Sequence, residues 1–111
     1  MSATKIPILT LSILAAAAIA VRQAVGYDGE PAAAGEAMFG LATSDAETGD
    51  MLAADVLGTG IALAGANVTV GQPLQVGSAG RLIPVASGTQ VARALTAGGN
   101  GDAIEVLLTP A

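Results

Sequence analysis

The regular spacing of turn residues constrains the fold of this chain more than any other feature. From Gly26 onward, apolar runs of four to eight residues are separated by Gly, Asp and Pro about every ten residues, and no helical stripe of useful length occurs. This pattern predicts an all-β domain of short hairpins. The expected strands span residues 10–14, 22–27, 38–42, 51–57, 60–63, 74–76, 81–84, 91–95 and 103–108.

Glycine marks the corners of these hairpins, where it can supply a positive φ angle. Gly77 and Gly80 flank a turn between two apolar runs, and Gly101 with Asp102 closes another. A Gly-Asp pair also occurs at Gly49 and Asp50. We therefore expect Gly49, Asp50, Gly77, Gly80, Gly101 and Asp102 to be structural turn residues.

The two Gly-Asp corners belong to a weak internal sequence similarity, which we call the echo. Residues 40–43, a polar turn, Gly49-Asp50 and residues 51–57 parallel residues 93–96, a shorter turn, Gly101-Asp102 and residues 103–107. Either a duplication or shared turn chemistry explains this echo.

Residues 1–21 have two interpretations. Lys5, the apolar run from Ile6 to Val21 and the sequence Ala18-Ile19-Ala20 together match a cleaved secretory signal. However, residues 9–13 alternate between apolar and hydroxyl side chains, as in a half-buried strand. Residues 15–20 then form a tight helical turn or a strand packed closely on another backbone. The run is shorter than the ~20 residues of a membrane span.

The side chains available for a core are small. The chain has 111 residues, among them 25 alanines and 15 glycines, with one Phe, one Tyr and no Trp. A domain of this size buries only about 60–70% of its unfolded surface. We therefore expect contacts with other subunits to contribute to its stability.

Composition also excludes several classes of function. The chain has no Cys and no His, which removes disulfides, the usual transition-metal ligands and most nucleophilic catalysis. Four cations and nine carboxylates give a net charge of −5, which disfavours nucleic acid as a partner. We therefore expect no enzymatic activity, cofactor, metal, small-molecule substrate or membrane partner.

Individual motifs support this exclusion. The acidic stretch from Ser44 to Asp50 resembles a calcium loop, but its glycine is one position early and Val56 stands where the loop needs Glu. Gly58-Thr59-Gly60 opens like a dinucleotide fingerprint, but Leu63 occupies the third glycine position and no helix pattern follows.

Taken together, these features resemble the head decoration, or capsid cement, proteins of tailed bacteriophages. The resemblance extends over nearly the whole chain and lies in residues 8–11 leading into the alanine run, 37–46 with Gly49-Asp50, 56–58 followed by 64–66, 71–76 with Gly80-Arg81, and 101–108.

The resemblance implies a small β-barrel or tulip-like domain with at most one short Ala-rich helix. Residues 1–14 would be an N-terminal arm or first strand, and residues 15–111 a single β-rich decoration domain. The protein would be a homotrimer that binds the major capsid protein on the capsid exterior, after synthesis in the host cytoplasm.

Within the arm, the resemblance implies that Ile6, Ile8, Leu9, Thr10 and Leu11 bind the capsid. The alternating character of this segment suits addition of a strand to the capsid protein. Pairing of the same strand within its own fold remains equally open. The rival function is a secreted or periplasmic β-domain, adhesin-like or pilin-like, released by cleavage after Ala20.

Overall fold

A computed structural model describes residues 7–108, and the side chains from residue 9 onward. Eight strands make up the fold: β1 Pro7–Leu14, β2 Ala24–Val25, β3 Gly40–Ala42, β4 Met51–Leu63, β5 Pro73–Val76, β6 Leu82–Pro84, β7 Ala92–Ala94 and β8 Ala103–Leu108. A single 3-10 turn at Ser78–Gly80 is the only helical element within residues 7–108. The expectation of an all-β fold is confirmed.

The strands form one antiparallel sheet that curls toward closure. Its order is β2-β3-β4-β8-β7-β5-β6, and β1 pairs with β4 outside this path. A parallel bridge between Ala64, just after β4, and Leu82 of β6 links the two sides of the C-terminal part. The sheet is therefore nearly a closed barrel. No helix in the described part of the chain is long and apolar enough to cross a bilayer.

Strand β4 is longer than the sequence predicts. The sequence predicts separate strands over residues 51–57 and 60–63, and this prediction is wrong, because one strand runs from Met51 to Leu63. Gly58 has a φ of 91°, and the pairing between β1 and β4 shifts register beside it. The glycine thus accommodates a bulge within a continuous strand, as glycines in bulges commonly do. The N-terminal part of β4 pairs with β1 and β3, and its C-terminal part pairs with β8.

Residues 15–20 contain no helix and do not form a regular strand. The N–H of Ala15 donates to the carbonyl of Asp50 at 2.8 Å, and Ile19 exchanges two backbone hydrogen bonds with Ala46. Ala15 and Ile19 are buried. The run of small side chains therefore permits close packing against another backbone, which was one of the two conformations expected for residues 15–20. The other, a helical turn, does not occur.

One reverse turn occurs four times in the chain. In each copy the first and fourth residues of the turn exchange two hydrogen bonds. The side-chain oxygen of the fourth residue accepts the backbone N–H of the first, and the backbone N–H of the fourth donates to the carbonyl of the first. The residues that supply this oxygen are Gln23, Asp50, Gln72 and Asp102. The preceding residue has a positive φ in every copy: Arg22 (68°), Gly49 (94°), Gly71 (83°) and Gly101 (90°).

The four turns interlock in two reciprocal pairs. The first turn pairs with the second through the Ile19–Ala46 bridge, and the third pairs with the fourth through the Val68–Gly98 bridge. In each pair the positive-φ residue donates its N–H to the carbonyl of a buried alanine beside the other turn. These alanines are Ala15, Ala42, Ala64 and Ala94. The chain is therefore a structural repeat of two halves that share β4.

This repeat extends the echo seen in the sequence. Gly49-Asp50 and Gly101-Asp102 occupy equivalent positions, as the echo proposed. The hydrogen bonds make Ala42 equivalent to Ala94. The sequence comparison had placed Ala42 opposite Leu95, so the strand before the turn is shifted by one residue in the structure. The flanking strands repeat their pairing as well, so turn chemistry alone does not account for the echo.

The core consists of aliphatic side chains, as the composition predicts. The largest fully buried side chains are Leu41, Leu52, Leu74, Leu82, Ile104, Val25, Val76, Val91 and Val106. A larger cluster fills the barrel, and a smaller one around Leu52 and Val25 lies under the first pair of turns, with Ile13 of β1 packed against it. Strand β1 is thus attached to the fold through both its backbone and a core contact.

Candidate interaction surface

Strand β1 contains four of the five residues that the sequence proposes for binding. Its backbone pairs with β4 from Pro7–Gly58 to Leu14–Met51. Ile8 lies in this strand, although its side chain is not described, and Ile6 lies outside the described residues. Of the two arrangements left open for this segment, the structure has the strand paired within its own fold.

Three of the proposed side chains are described, and they differ in what they contact. Leu9 and Leu11 are 43% and 42% exposed. The hydroxyl of Thr10 donates to the carboxylate of Asp55, with 2.9 Å between Thr10 Oγ1 and Asp55 Oδ1. Thr10 therefore fastens β1 to β4, whereas the two leucines present apolar surface to solvent.

Two further apolar residues of this ribbon escaped the sequence reasoning. Leu14 and Met51 are directly paired between β1 and β4, and both are exposed. The two residues lie far apart in the sequence, so only knowledge of the strand pairing would have revealed them together. Because side chains alternate along a strand, Leu14 and Met51 lie on the face of the ribbon opposite Leu9 and Leu11. Leu9 and Leu11 define what we call the β1 surface.

The outer edge of β1 is also open. Within residues 7–108, β4 is the only strand that pairs with β1. A sheet edge with free N–H and C=O groups can accept a strand from another chain. The β1 surface thus combines exposed aliphatic side chains with an available backbone edge.

The predicted turn residues lie at chain corners, but not all for the expected reason. Gly49, Gly80 and Gly101 have positive φ angles. Gly77 has a φ of −104°, and a Cβ atom there would lie 2.8 Å from Cγ2 of Ile83. Gly77 is therefore required for close packing rather than for a left-handed conformation.

The acidic residues of the 44–50 stretch take part in turn geometry. The carboxylate of Asp45 accepts the N–H of Val21 at 2.8 Å, and that of Asp50 accepts the N–H of Glu47 at 2.9 Å. Among the described residues, no group of three His, Cys, Asp or Glu could hold a metal ion. These carboxylates order the backbone around the first pair of turns.

A concavity of about 540 Å³ lies along the loop at residues 26–37. Tyr27, which is mostly exposed, makes an edge-to-face contact with Phe39, with 5.7 Å between ring centroids. Asp28, Glu30 and Glu36 line the same concavity. It is open and shallow, and its lining contains no paired nucleophile and base.

A solved structure with a similar fold is the crystal structure of the N base of head fiber gp8.5 of bacteriophage phi29. The TM-score is 0.75 at 20% sequence identity, and the match covers 91% of this chain and 93% of the other. The two chains thus share their fold. No curated protein matches the chain.

The family assignment comes from the sequence as a whole. The family model described as phage cement protein matches residues 3–110. The chain therefore belongs to the phage cement protein family, a family of virion structural proteins rather than enzymes. This confirms the resemblance on which the binding expectations rest.

Proposed function

We propose that this protein cements a phage capsid by binding the major capsid protein lattice through the β1 surface, as a homotrimer. The observation that carries the proposal is the exposed pair Leu9 and Leu11 on a strand whose outer edge no other described strand covers. Burial of aliphatic surface contributes roughly 25 cal/mol per Å². The capsid subunit would cover both leucines and add backbone pairing at the edge.

The trimer is supported by the thin aliphatic core and the exposed side chains. In a symmetric trimer each protomer would bury apolar surface against its neighbours, and three β1 surfaces would engage the lattice together. Linking three weak contacts raises the overall affinity well above that of one. This suits attachment at threefold and quasi-threefold positions on the outside of the capsid.

The proposed place of action is consistent with the composition. The chain has no cysteine, so its folding in the host cytoplasm needs no oxidising compartment. A net charge of −5 would keep decorated particles apart in solution. The protein would then act on the exterior of the virion without substrate or cofactor.

The double variant Leu9→Ser/Leu11→Ser tests this function. Each side chain is already about two-fifths exposed, so we expect the fold to survive. Binding to expanded capsids that lack the protein should weaken by at least about tenfold, because two apolar contacts at the interface are lost. Co-sedimentation over a range of protein concentrations measures the effect.

A matched control is Leu107→Ser in β8, because Leu107 is 44% exposed. This variant should bind capsids as the wild type does. Circular dichroism of all three proteins verifies the fold. Wild-type affinity in the double variant, or an equal loss in the control, would contradict binding through the β1 surface.

A further inference from the structure

Arg22 is the exception among four equivalent turn positions. The other three positions are glycines, and all four have φ angles between 68° and 94°. This region of backbone conformation is unfavourable for residues with a Cβ atom. A Cβ at Gly49 or Gly71 would meet nothing within 4 Å, so conformation rather than space favours glycine there. The first turn thus carries an arginine where glycine would relieve strain.

The side chain of Arg22 does not compensate for this strain within the fold. Nη1 of Arg81 donates to Oδ1 of Asn100 at 3.1 Å, and Nη1 of Arg93 donates to the carbonyl of Gly71 at 2.7 Å. The exposed guanidinium of Arg22 makes no hydrogen bond or ion pair with any residue in the described range. Among the described arginines, only Arg22 has a guanidinium without a hydrogen-bond or ion-pair partner.

Arg22 lies next to the ribbon that carries the β1 surface. It borders a small concavity of about 150 Å³ together with Val21, Thr43 and Asp55. The carboxylate of Asp55 accepts the hydroxyl of Thr10 in β1. Thr10 points to the face of β1 opposite Leu9 and Leu11. A partner that covers the Thr10 face would therefore reach the guanidinium of Arg22 and leave the β1 surface open.

We propose that Arg22 pairs with a carboxylate of a second copy of this chain and fixes the register of the trimer. The inference rests on the homotrimer of the proposed function. Charge complementarity favours a second copy, because the chain has nine carboxylates and four cations. Seven of those carboxylates are exposed: Asp28, Glu30, Glu36, Asp45, Glu47, Asp50 and Asp102.

The geometry of a ring also fits one unpaired cation in each chain. In a trimer every interface joins two different patches, one from each neighbour, so one donor and one acceptor per protomer satisfy all three interfaces. Arginine suits this role because its planar guanidinium can bind a carboxylate through two parallel hydrogen bonds. Each pair would also offset repulsion between protomers of net charge −5.

The test measures oligomeric state and thermal unfolding for the wild type, Arg22→Gly, Arg22→Lys and Arg93→Ala. Arg93→Ala is the charge-matched control, because it removes one positive charge elsewhere on the surface. Native mass spectrometry and sedimentation velocity over a concentration series give the trimer population.

We expect Arg22→Gly to need at least about tenfold more protein to form trimers, which corresponds to one strong polar contact per interface. Its monomer should unfold at the same or a higher temperature than that of the wild type. Arg22→Lys should fall between the two, and Arg93→Ala should trimerise as the wild type does.

Normal trimerisation of Arg22→Gly would overturn the inference. A variant that trimerises normally but loses capsid binding would also overturn it, because the partner of Arg22 would then be the capsid. A wild type that stays monomeric at every concentration would overturn the trimer itself. Capsid binding would still test the cementing role separately. A monomer that binds capsids, and binds them more weakly as Leu9→Ser/Leu11→Ser, would support cementing without a trimer.

Discussion

Replacing Gly29 with alanine should destabilise the protein severely, because the added methyl group has no room. Gly29 has a φ of 83°, and a Cβ atom there would lie 2.2 Å from the carbonyl oxygen of Leu14 and 3.1 Å from the backbone nitrogen of Ala16. Both obstacles are backbone atoms at the end of β1, which cannot rotate away. Overpacking and backbone strain together should lower the free energy of unfolding by roughly 3–5 kcal/mol.

Gly49→Ala is the matched control for this prediction. Its φ is 94°, but a Cβ atom would meet nothing within 4 Å. The cost should therefore be conformational only, about 1 kcal/mol. Urea unfolding followed by circular dichroism compares the two variants. Equal shifts of the midpoint would mean that the loop at Gly29 does not pack against the end of β1.

Removal of residues 1–20 should prevent stable folding of the remaining chain. The deletion takes away the whole of β1, which pairs with β4 along Pro7–Leu14, together with buried Ala15 and Ile19. It exposes the smaller core cluster around Leu52 and leaves one edge of β4 unpaired. We expect residues 21–111 to be protease-sensitive and to lack a cooperative thermal transition.

A peptide of residues 1–20 added in trans supplies the control for this truncation. It should restore protection from proteolysis, since it can replace β1 in the sheet. A truncated chain that folds cooperatively by itself would instead favour the secreted β-domain released after Ala20. The intact mass of the natural protein gives an independent check: a chain that begins at Met1 or Ser2 retains β1, and one that begins at Val21 does not.

Most strands were predictable from the sequence because their signals are local. The apolar runs at residues 74–76, 81–84 and 103–108 each lie within two residues of a glycine or proline, and the structure has strands there within one residue of the expected bounds. Residues 22–27 were less well predicted, because Arg22 belongs to a turn and only Ala24–Val25 are paired. An arginine carries no sequence signal for a positive φ, whereas the glycines at the equivalent positions do.

The candidate site depended on information that no local pattern contains. Alternation in residues 9–13 predicted a strand, but not that β4 would be its partner. The pairing of Leu14 with Met51, and the isolation of the Arg22 guanidinium, follow from contacts between residues distant in the sequence. The same applies to the interlocked turns, of which the sequence revealed two copies of four.

The repeat gives a physical reason why so small a core is sufficient. Each pair of turns contributes backbone hydrogen bonds between closely packed segments, and alanine at the contact positions allows that approach. Such hydrogen bonds each contribute on the order of 1 kcal/mol when both partners are satisfied. The fold thus relies on backbone pairing more than on bulky side chains, which leaves several aliphatic residues at the surface for association.

A reconstruction of capsids decorated with this protein, at side-chain resolution, tests the cementing role most directly. If the protein cements the capsid as proposed, three copies surround each occupied threefold or quasi-threefold position, with β1 facing the major capsid protein and Leu9 and Leu11 buried at the contact. Copies whose β1 surface faces solvent, or capsids that carry no density for this chain after incubation with it, would contradict the cementing role.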